Sequence, residues 1–435
     1  MSALFTEDFK PEPYWWEGAP RPPAAKATRD DPLPERVDIA VVGAGYTGLH
    51  ASVASARAGA TTLVLDAEAA GWGCSTRNGG QVSTSIKPAF ETLTRRHGRE
   101  RAQAILREGQ ASLDHIERFV TQEGIECDFA VCGRFHGAHT ARRFEAMQRD
   151  CETGHPVLDT GAYVVPKAEM ACELDTPHYH GGMVLPRHAS LHPARYHAGL
   201  LAVAERAGVD IRAHCRVDKL ERMNGGFRLH TSRGVVRADR VVLATNGYSG
   251  PLSPWHRRRV IPIGSYVIAT EGLPADLMDE VMPTNRILSD TRKLVYYYRP
   301  SPDRTRIVFG GRVSLSETDP KKSAVKLQTE LVRLFPQLAG VRVSHSWVGF
   351  VAYSFDELMH LGSEGGLYYA MGYCGSGVGM ASYLGMRIGQ QAVDQEAGRT
   401  AFDGLAFQTR PFYSGNPWFL APSVLAYRIR DRLDL

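Results

Sequence analysis

The sequence predicts an α/β fold built discontinuously, and three observations predict it. A short apolar run, a glycine-rich turn, a helix and a second apolar run ending in an acid succeed one another near the start of the chain. A second strand, glycine turn and helix stand near residues 367–397, and β-rich and helical stretches separate the two. At 435 residues the chain exceeds one compact core, which favours two regions over one.

The first unit is the clearest. Val37-Asp38-Ile39-Ala40-Val41-Val42 is apolar and β-branched, suited to a parallel strand buried on both faces. It runs into Gly43-Ala44-Gly45-Tyr46-Thr47-Gly48 and then into LHASVASARAGA, a helix of small residues that Gly59 can end. Thr61–Leu65 forms the next strand, finishing at Asp66. In this context the glycines have separate tasks: Gly43 permits the tight turn, Gly45 lets backbone approach a pyrophosphate, and Gly48 lets helix pack on strand. Tyr46 and Thr47 open the helix, whose free N–H groups attract phosphate. Asp66, with Ala67 after it, is placed to accept hydrogen bonds from a ribose. The unit is a Rossmann-like dinucleotide site.

The segment after Asp66 selects the dinucleotide. Instead of further strand–helix repeats, the chain enters GWGCSTRNGGQ, residues 71–81. Gly73, Gly79 and Gly80 remove side chains that would collide with a flat ring, while Cys74, Ser75, Arg77, Asn78 and Gln81 surround them with polar atoms. A flavin, FAD, is the expected cofactor. Two later pieces agree. Arg240–Gly247 reads as a strand ending in the small turn Thr245-Asn246-Gly247. The run GYCGSGVGM, with Gly375, Gly377, Val378, Gly379 and Met380, precedes a helix whose amides can stabilise negative charge on a reduced ring.

Elsewhere, helical patterns are expected near 90–123, 141–152, 193–207 and 320–336, and almost continuous β-structure over 260–315. Residues 1–35 form a proline-rich arm whose Tyr14-Trp15-Trp16 is expected to lie across the body of the protein. A net charge of +4 makes no case for nucleic acid. Seven cysteines without a C-x-x-C pair fit reduced thiols rather than disulfides or zinc. No run reaches the length of a membrane span, and a cytoplasmic protein is expected.

Together, GAGYTG, the trailing Asp66, CSTRNGGQ, VVLATNGY and GYCGSGVGM resemble the FAD-dependent amine-oxidising enzymes of the D-amino-acid oxidase type, nearest to bacterial γ-glutamylputrescine oxidase-like proteins. The resemblance spans almost the whole chain. It implies FAD contacts at the residues of these motifs and an adenine-side contact at Val217. It also implies a division into an FAD-binding domain (36–88, 186–255 and 345–397), a substrate domain (89–185 and 256–344), the arm and a C-terminal tail (398–435). The implied chemistry is oxidation of the C–N bond of a primary or secondary amine by hydride transfer to flavin N5. The resulting imine hydrolyses, with hydrogen peroxide formed if oxygen is the acceptor.

There are departures from the family pattern. Aspartate replaces the common glutamate at 66, Gly-Ser-Gly stands at 375–377 where many relatives have Gly-His-Gly, and Arg306–Arg312 has no lysine where sarcosine-oxidase-type members place one. The acceptor is therefore left as oxygen or another electron carrier. No linkage motif surrounds Cys74 or Cys374, so FAD is expected to be non-covalent. Such chemistry needs an aromatic wall more than a strong base. The wall is expected from Tyr266, Tyr296, Tyr298, Trp347 and Tyr353, with Arg312 clamping an anionic group and His345 as a further polar member. Along LVYYYR, alternation sets Tyr296 and Tyr298 on one face and Tyr297 on the other. An amine dehydrogenase, a flavin monooxygenase and a non-catalytic flavoprotein are the alternatives; no second G-x-G-x-x-G supports a nicotinamide site. The oligomeric state is left open.

Overall fold

Small side chains and close backbone contact shape the first layer. In the computed structural model, which describes residues 4–19, 31–155, 157–311 and 319–433, strands Arg36–Val42 and Thr62–Leu65 pair in parallel from Ile39↔Thr62 to Val42↔Leu65. The helix Tyr46–Arg57 connects them and stops just before Gly59, whose φ of +92° a β-carbon would disfavour. Two strands from much later, Gly234–Leu243 and Leu367–Met371, join the same layer in parallel. The full sheet has eight strands, in the order 217–223, 226–231, 234–243, 36–42, 62–65 and 210–212, with 367–371 also paired to 234–243 and 360–364 paired to 367–371. The helix Gly377–Gln391 lies on Tyr46–Arg57 so closely that a Cβ on Gly385 would sit 2.5 Å from Thr47 O, and one on Gly389 2.4 Å from Ala51 O.

A second sheet has nine strands, ordered 5–10, 343–353, 261–270, 307–311, 297–300, 287–290, 134–137, 181–185 and 163–166. The helix Pro320–Leu334 covers one of its faces through Ala324, Leu327, Leu331 and Leu334, which share a core with Phe135, Tyr266, Leu288, Tyr298 and Phe309. The opposite face looks toward the first sheet across a cavity.

Strand pairing places several segments differently from the expected division. Val343–Tyr353 pairs along its length with Ile261–Thr270, so the boundary expected at 345 falls inside a strand of the second sheet. The helices Phe90–His97 and Arg99–Glu123, broken at Gly98 (φ +82°), share their core with Leu384 and Ile388 on the side of the first sheet. The arm contributes an edge strand, Phe5–Lys10, parallel to Val343–Tyr353. The tail carries the helix Leu420–Leu433, and the 260–315 stretch includes the helix Ala275–Val281. Apolar periodicity shows that each element buries a face; it does not say against which sheet. No helix among the described residues is long and apolar enough to cross a membrane.

Candidate active site

Between the sheets lies a cavity of about 1530 Å³, larger than the roughly 300–1,000 Å³ of an ordinary small-ligand site. At one end, Gly43, Gly45, Tyr46, Thr47, Asp66, Ala67 and Val217 line it. Gly43 has φ +109°. A Cβ at Gly45 would come 2.9 Å from Ser75 Oγ, and that oxygen accepts a hydrogen bond from Tyr46 N at 3.0 Å. Gly48 does not reach the cavity, because a Cβ there would meet Gly43 O at 1.8 Å; its task is helix-to-turn packing. Asp66 accepts from Ala44 N (2.7 Å) through Oδ2 and from Glu68 N (2.9 Å) through Oδ1.

The glycine-rich run 71–81 is pinned. It holds a 3₁₀ turn, Cys74–Thr76, and three tryptophan indoles donate into it: Trp15 to Asn78 O (2.8 Å), Trp16 to Thr76 Oγ1 (3.0 Å) and Trp347 to Arg77 O (2.8 Å). The arm's Trp15 and Trp16 thus clamp this loop, with Trp15 fully buried. Gly73, Cys74, Ser75, Arg77, Asn78, Gly79 and Gln81 line the cavity, but several of their donors serve the loop itself. Asn78 Nδ2 donates to Cys74 O and Ser75 O, and its Oδ1 accepts from Gly80 N. Arg77 Nε donates to Trp72 O at 2.7 Å, and its guanidinium lies 4.9 Å from the ring centroids of Trp16 and Trp72. Gly80 faces away from the cavity, where a Cβ would be 2.3 Å from Leu191 O.

On the far side, Thr245, Asn246, Gly375, Gly377 and Val378 line the cavity. Asn246, at φ +42°, accepts from Gly372 N through Oδ1 at 3.0 Å, which ties the two glycine turns together. Gly247 instead packs on Phe350 O, Gly379 on Ser112 Oγ, and Met380 is wholly buried. The helix Gly377–Gln391 turns Gly379 and Met380 inward and meets the cavity at Gly377, Val378 and, one turn on, Ala381. Cys74 and Cys374 line it too, and burial pushes each thiol up to about 11.

Of the expected aromatic wall, Tyr353 lines the cavity and Tyr266, Tyr296, Tyr298 and Trp347 do not. Tyr266 and Tyr298 are buried on the helix-covered face, where Tyr298 Oη donates to Tyr179 Oη at 3.1 Å. Tyr296 packs against Phe309 on that side, and Trp347 is sealed with Trp15, Val267 and Val308. His345 lies beneath the arm beside Tyr14 and Glu17. None of these five lines the cavity. Tyr297 does, with its hydroxyl 2.8 Å from Ser265 Oγ, and so does Tyr353. The alternation holds, but pairing with the neighbouring strands sends the middle tyrosine inward. Arg312 lies outside the described residues.

Sequence reasoning missed other lining residues: Lys87, Arg134, His136, Tyr248, Ser289 and the Asp290–Arg292 pair. Lys87 Nζ stands 5.3 Å from the ring centroid of Tyr353. Burial disfavours its charge, but Tyr353, Cys374 and Glu357 outweigh this and raise its pKa. Burial lifts Asp290 to about 6, against the pull of Arg292. The tail helix also contributes Leu420, Val424 and Tyr427 to the lining, at the i, i+4, i+7 spacing of one helix face. That spacing was the one available signal for it.

A glycine-turn cradle, a pinned loop and a second glycine turn at a helix start, facing one another across a single large cavity, define a dinucleotide-dependent oxidoreductase, and the cradle and open volume fit FAD. Residues 38–391 match the family described as FAD dependent oxidoreductase, DAO, and the chain belongs to it. It is 29% identical over 417 residues to the probable oxidoreductase OrdL of Rhizobium meliloti, covering 92% of this chain and 94% of that one. It is 28% identical over 408 residues to the γ-glutamylputrescine oxidoreductase of Escherichia coli, covering 92% and 93%. Among solved structures, glycine oxidase from Geobacillus kaustophilus shares the fold with a TM-score of 0.72 at 17% identity, over 87% of this chain and 99% of that one.

Proposed function

We propose that this FAD-dependent enzyme oxidises the C–N bond of a primary or secondary amine, and that residues lining the cavity at 43–47, 66–67, 73–81, 217, 245–246 and 375–378 hold the cofactor. The observation that carries this reading is that one cavity is lined both by the glycine cradle with Gly375 and by Tyr297 and Tyr353 from the second sheet. Bound FAD would supply two-electron oxidation at the carbon beside the amine nitrogen.

The chain's part is to bind, orient and desolvate. Tyr297 and Tyr353 are half-buried phenols whose desolvation raises their pKa and keeps them protonated. They offer hydroxyls to a substrate without placing a negative charge beside it. The cation at Lys87 disfavours a protonated amine nearby and so favours the neutral form. The imine product would hydrolyse to an aldehyde or keto compound plus amine or ammonia. High thiol pKa values at Cys74 and Cys374 support non-covalent FAD, since the thiolate is the nucleophile. The name of the Escherichia coli relative supports an amine substrate, and seven free cysteines support a reducing, cytoplasmic setting.

Anaerobic mixing of the purified yellow protein with polyamines, N-methylated amino acids and amino acids tests the reading. At least one amine should bleach the visible flavin band without NADPH, and admitting air reports whether oxygen restores it. A flavin that no amine bleaches, or that bleaches only with NADPH, would overturn it.

A further inference from the structure

Two stretches of the chain carry no acid. No aspartate or glutamate stands between Asp239 and Glu271 or between Asp403 and Asp431, while Arg257-Arg258-Arg259 and Arg410 fall inside those spans. The fold brings the two together. Thr409 Oγ1 donates to Arg258 O at 2.5 Å, Arg259 Nε to Phe407 O at 2.8 Å and Tyr413 Oη to Val260 O at 2.6 Å. At Gly415 a Cβ would lie 2.4 Å from Arg257 Cγ. Tyr413 and Phe419 also pack on Phe355, with ring centroids 5.3 and 6.2 Å away. The turn that joins these stretches is therefore fastened from within.

Its outward residues are apolar. Phe412 is 95% exposed and Trp418 66%. Phe412 also holds φ +63°, a region that bulky side chains rarely adopt. The helix Leu420–Leu433 continues this character. Leu420, Val424 and Tyr427 face the cavity, yet Pro422, Leu425, Ala426 and Ile429 are exposed at the i, i+3, i+4, i+7 spacing of the opposite face. A helix apolar on both faces is ordinarily buried. Single exposed apolar residues need no explanation, but a contiguous apolar surface marks an interaction site.

The charge around this surface selects its partner. Arg258 and Arg410 are exposed, and neither forms an ion pair among the described residues; Arg410 lies 5.4 Å from the Phe355 centroid. Carboxylates on flanking elements are engaged elsewhere. Asp403 accepts from Gln391 Nε2 at 3.0 Å, Asp356 pairs with His360 at 2.9 Å, Asp431 holds Lys293 N, and Glu357 lines the cavity. A second copy of the chain would set these cations against themselves across a two-fold axis, which like charge opposes. A nucleic acid would satisfy the arginines but has no apolar interior to receive Leu425 and Ile429. An anionic bilayer supplies both, with headgroup phosphates for arginine and an acyl boundary for exposed aromatic and aliphatic side chains.

We infer that the face formed by Phe412, Trp418, Leu425 and Ile429, rimmed by Arg258 and Arg410, docks on the surface of an anionic phospholipid bilayer. This goes beyond the oxidation of an amine and does not depend on it. Because the other face of the same helix lines the cavity, docking sets that end of the cavity against the lipid.

Sedimentation of the FAD-loaded enzyme with vesicles of mixed phosphatidylglycerol and phosphatidylcholine, against vesicles of phosphatidylcholine alone, tests this at low and high salt. Wild type should sediment with the anionic vesicles only, and salt should release it by screening the arginines. R258Q/R410Q should weaken binding roughly 30-fold, the usual contribution of two cations near an anionic surface. F412S/W418S should weaken it at least about 10-fold through lost apolar burial. Both variants should keep the wild-type Tm and FAD content, because all four side chains are exposed. Brominated acyl chains should quench wild-type tryptophan fluorescence, a readout that needs no variant. Wild type that ignores anionic vesicles, binds neutral ones equally, or escapes quenching would overturn the docking face. Unchanged binding by F412S/W418S would overturn it by placing the lipid contact elsewhere. A concentration-dependent dimer abolished by F412S/W418S, or capture of single-stranded DNA without capture of vesicles, would assign the face to a second copy or to nucleic acid instead.

Discussion

Gly48 shows how much a single atom decides at the residue scale. Its missing β-carbon would lie 1.8 Å from Gly43 O and 3.1 Å from Val41 Cγ1, so Gly48→Ala forces the helix Tyr46–Arg57 away from the turn it packs on. Overpacking of this kind costs about 1–3 kcal/mol, and the displaced helix start is the one proposed to hold the cofactor. Purified Gly48→Ala should show a lower Tm and substoichiometric FAD; a variant with full flavin and unchanged Tm would show that close packing at 48 is dispensable. Such glycines were legible because the motif's spacing assigns each a backbone task. Asn78 was legible only as a polar residue in a loop that lines the site. Its commitment to Cys74 O, Ser75 O and Gly80 N depends on the shape of the folded loop.

At the scale of elements, alternation along Leu294–Tyr298 correctly separated Tyr297 from its neighbours, but the side that would be covered depended on the helix Pro320–Leu334, which packs on the face of Tyr298 and Phe309. The tail helix is a similar case. Asp431 accepts hydrogen bonds from Lys293 N (2.7 Å) and Leu294 N (3.2 Å), fastening Leu420–Leu433 over the loop 291–295, which also lines the cavity. Asp431→Ala removes both acceptors, each worth about 1 kcal/mol in typical cases. It should loosen the helix, speed proteolysis of the tail and raise KM for amines several-fold with little change in kcat. Unchanged proteolysis and KM would show that the helix is held by its other contacts.

Across the whole molecule, buried histidines set the acid response. His50, His115, His136, His188, His192 and His256 are all held below the ordinary histidine range, with burial the first cause in each. A histidine that stays neutral in the fold but protonates when unfolded contributes stability that is complete above about pH 6.5 and declines as pH falls toward 4. Each can contribute up to about 1.4 kcal/mol per pH unit over that window. Asp290, raised to about 6, acts in the opposite sense, because its protonated form is favoured in the fold and stability falls as pH rises from about 4 to 6. Six groups against one make the net direction clear. Thermal unfolding with excess FAD should show Tm falling steeply from pH 6.5 to 4.5, and a flat profile would refute this account.

The sequence by itself determined the cofactor half of this protein. A strand, a glycine turn, a helix start and a terminal acid interact over a few residues, so local sterics and hydrogen bonding write the dinucleotide cradle directly into the order of amino acids. The tertiary structure decided the substrate half. Which sheet takes Val343–Tyr353 and which tyrosine faces inward depend on pairing and burial between segments up to hundreds of residues apart, and no local pattern encodes the partner across that distance.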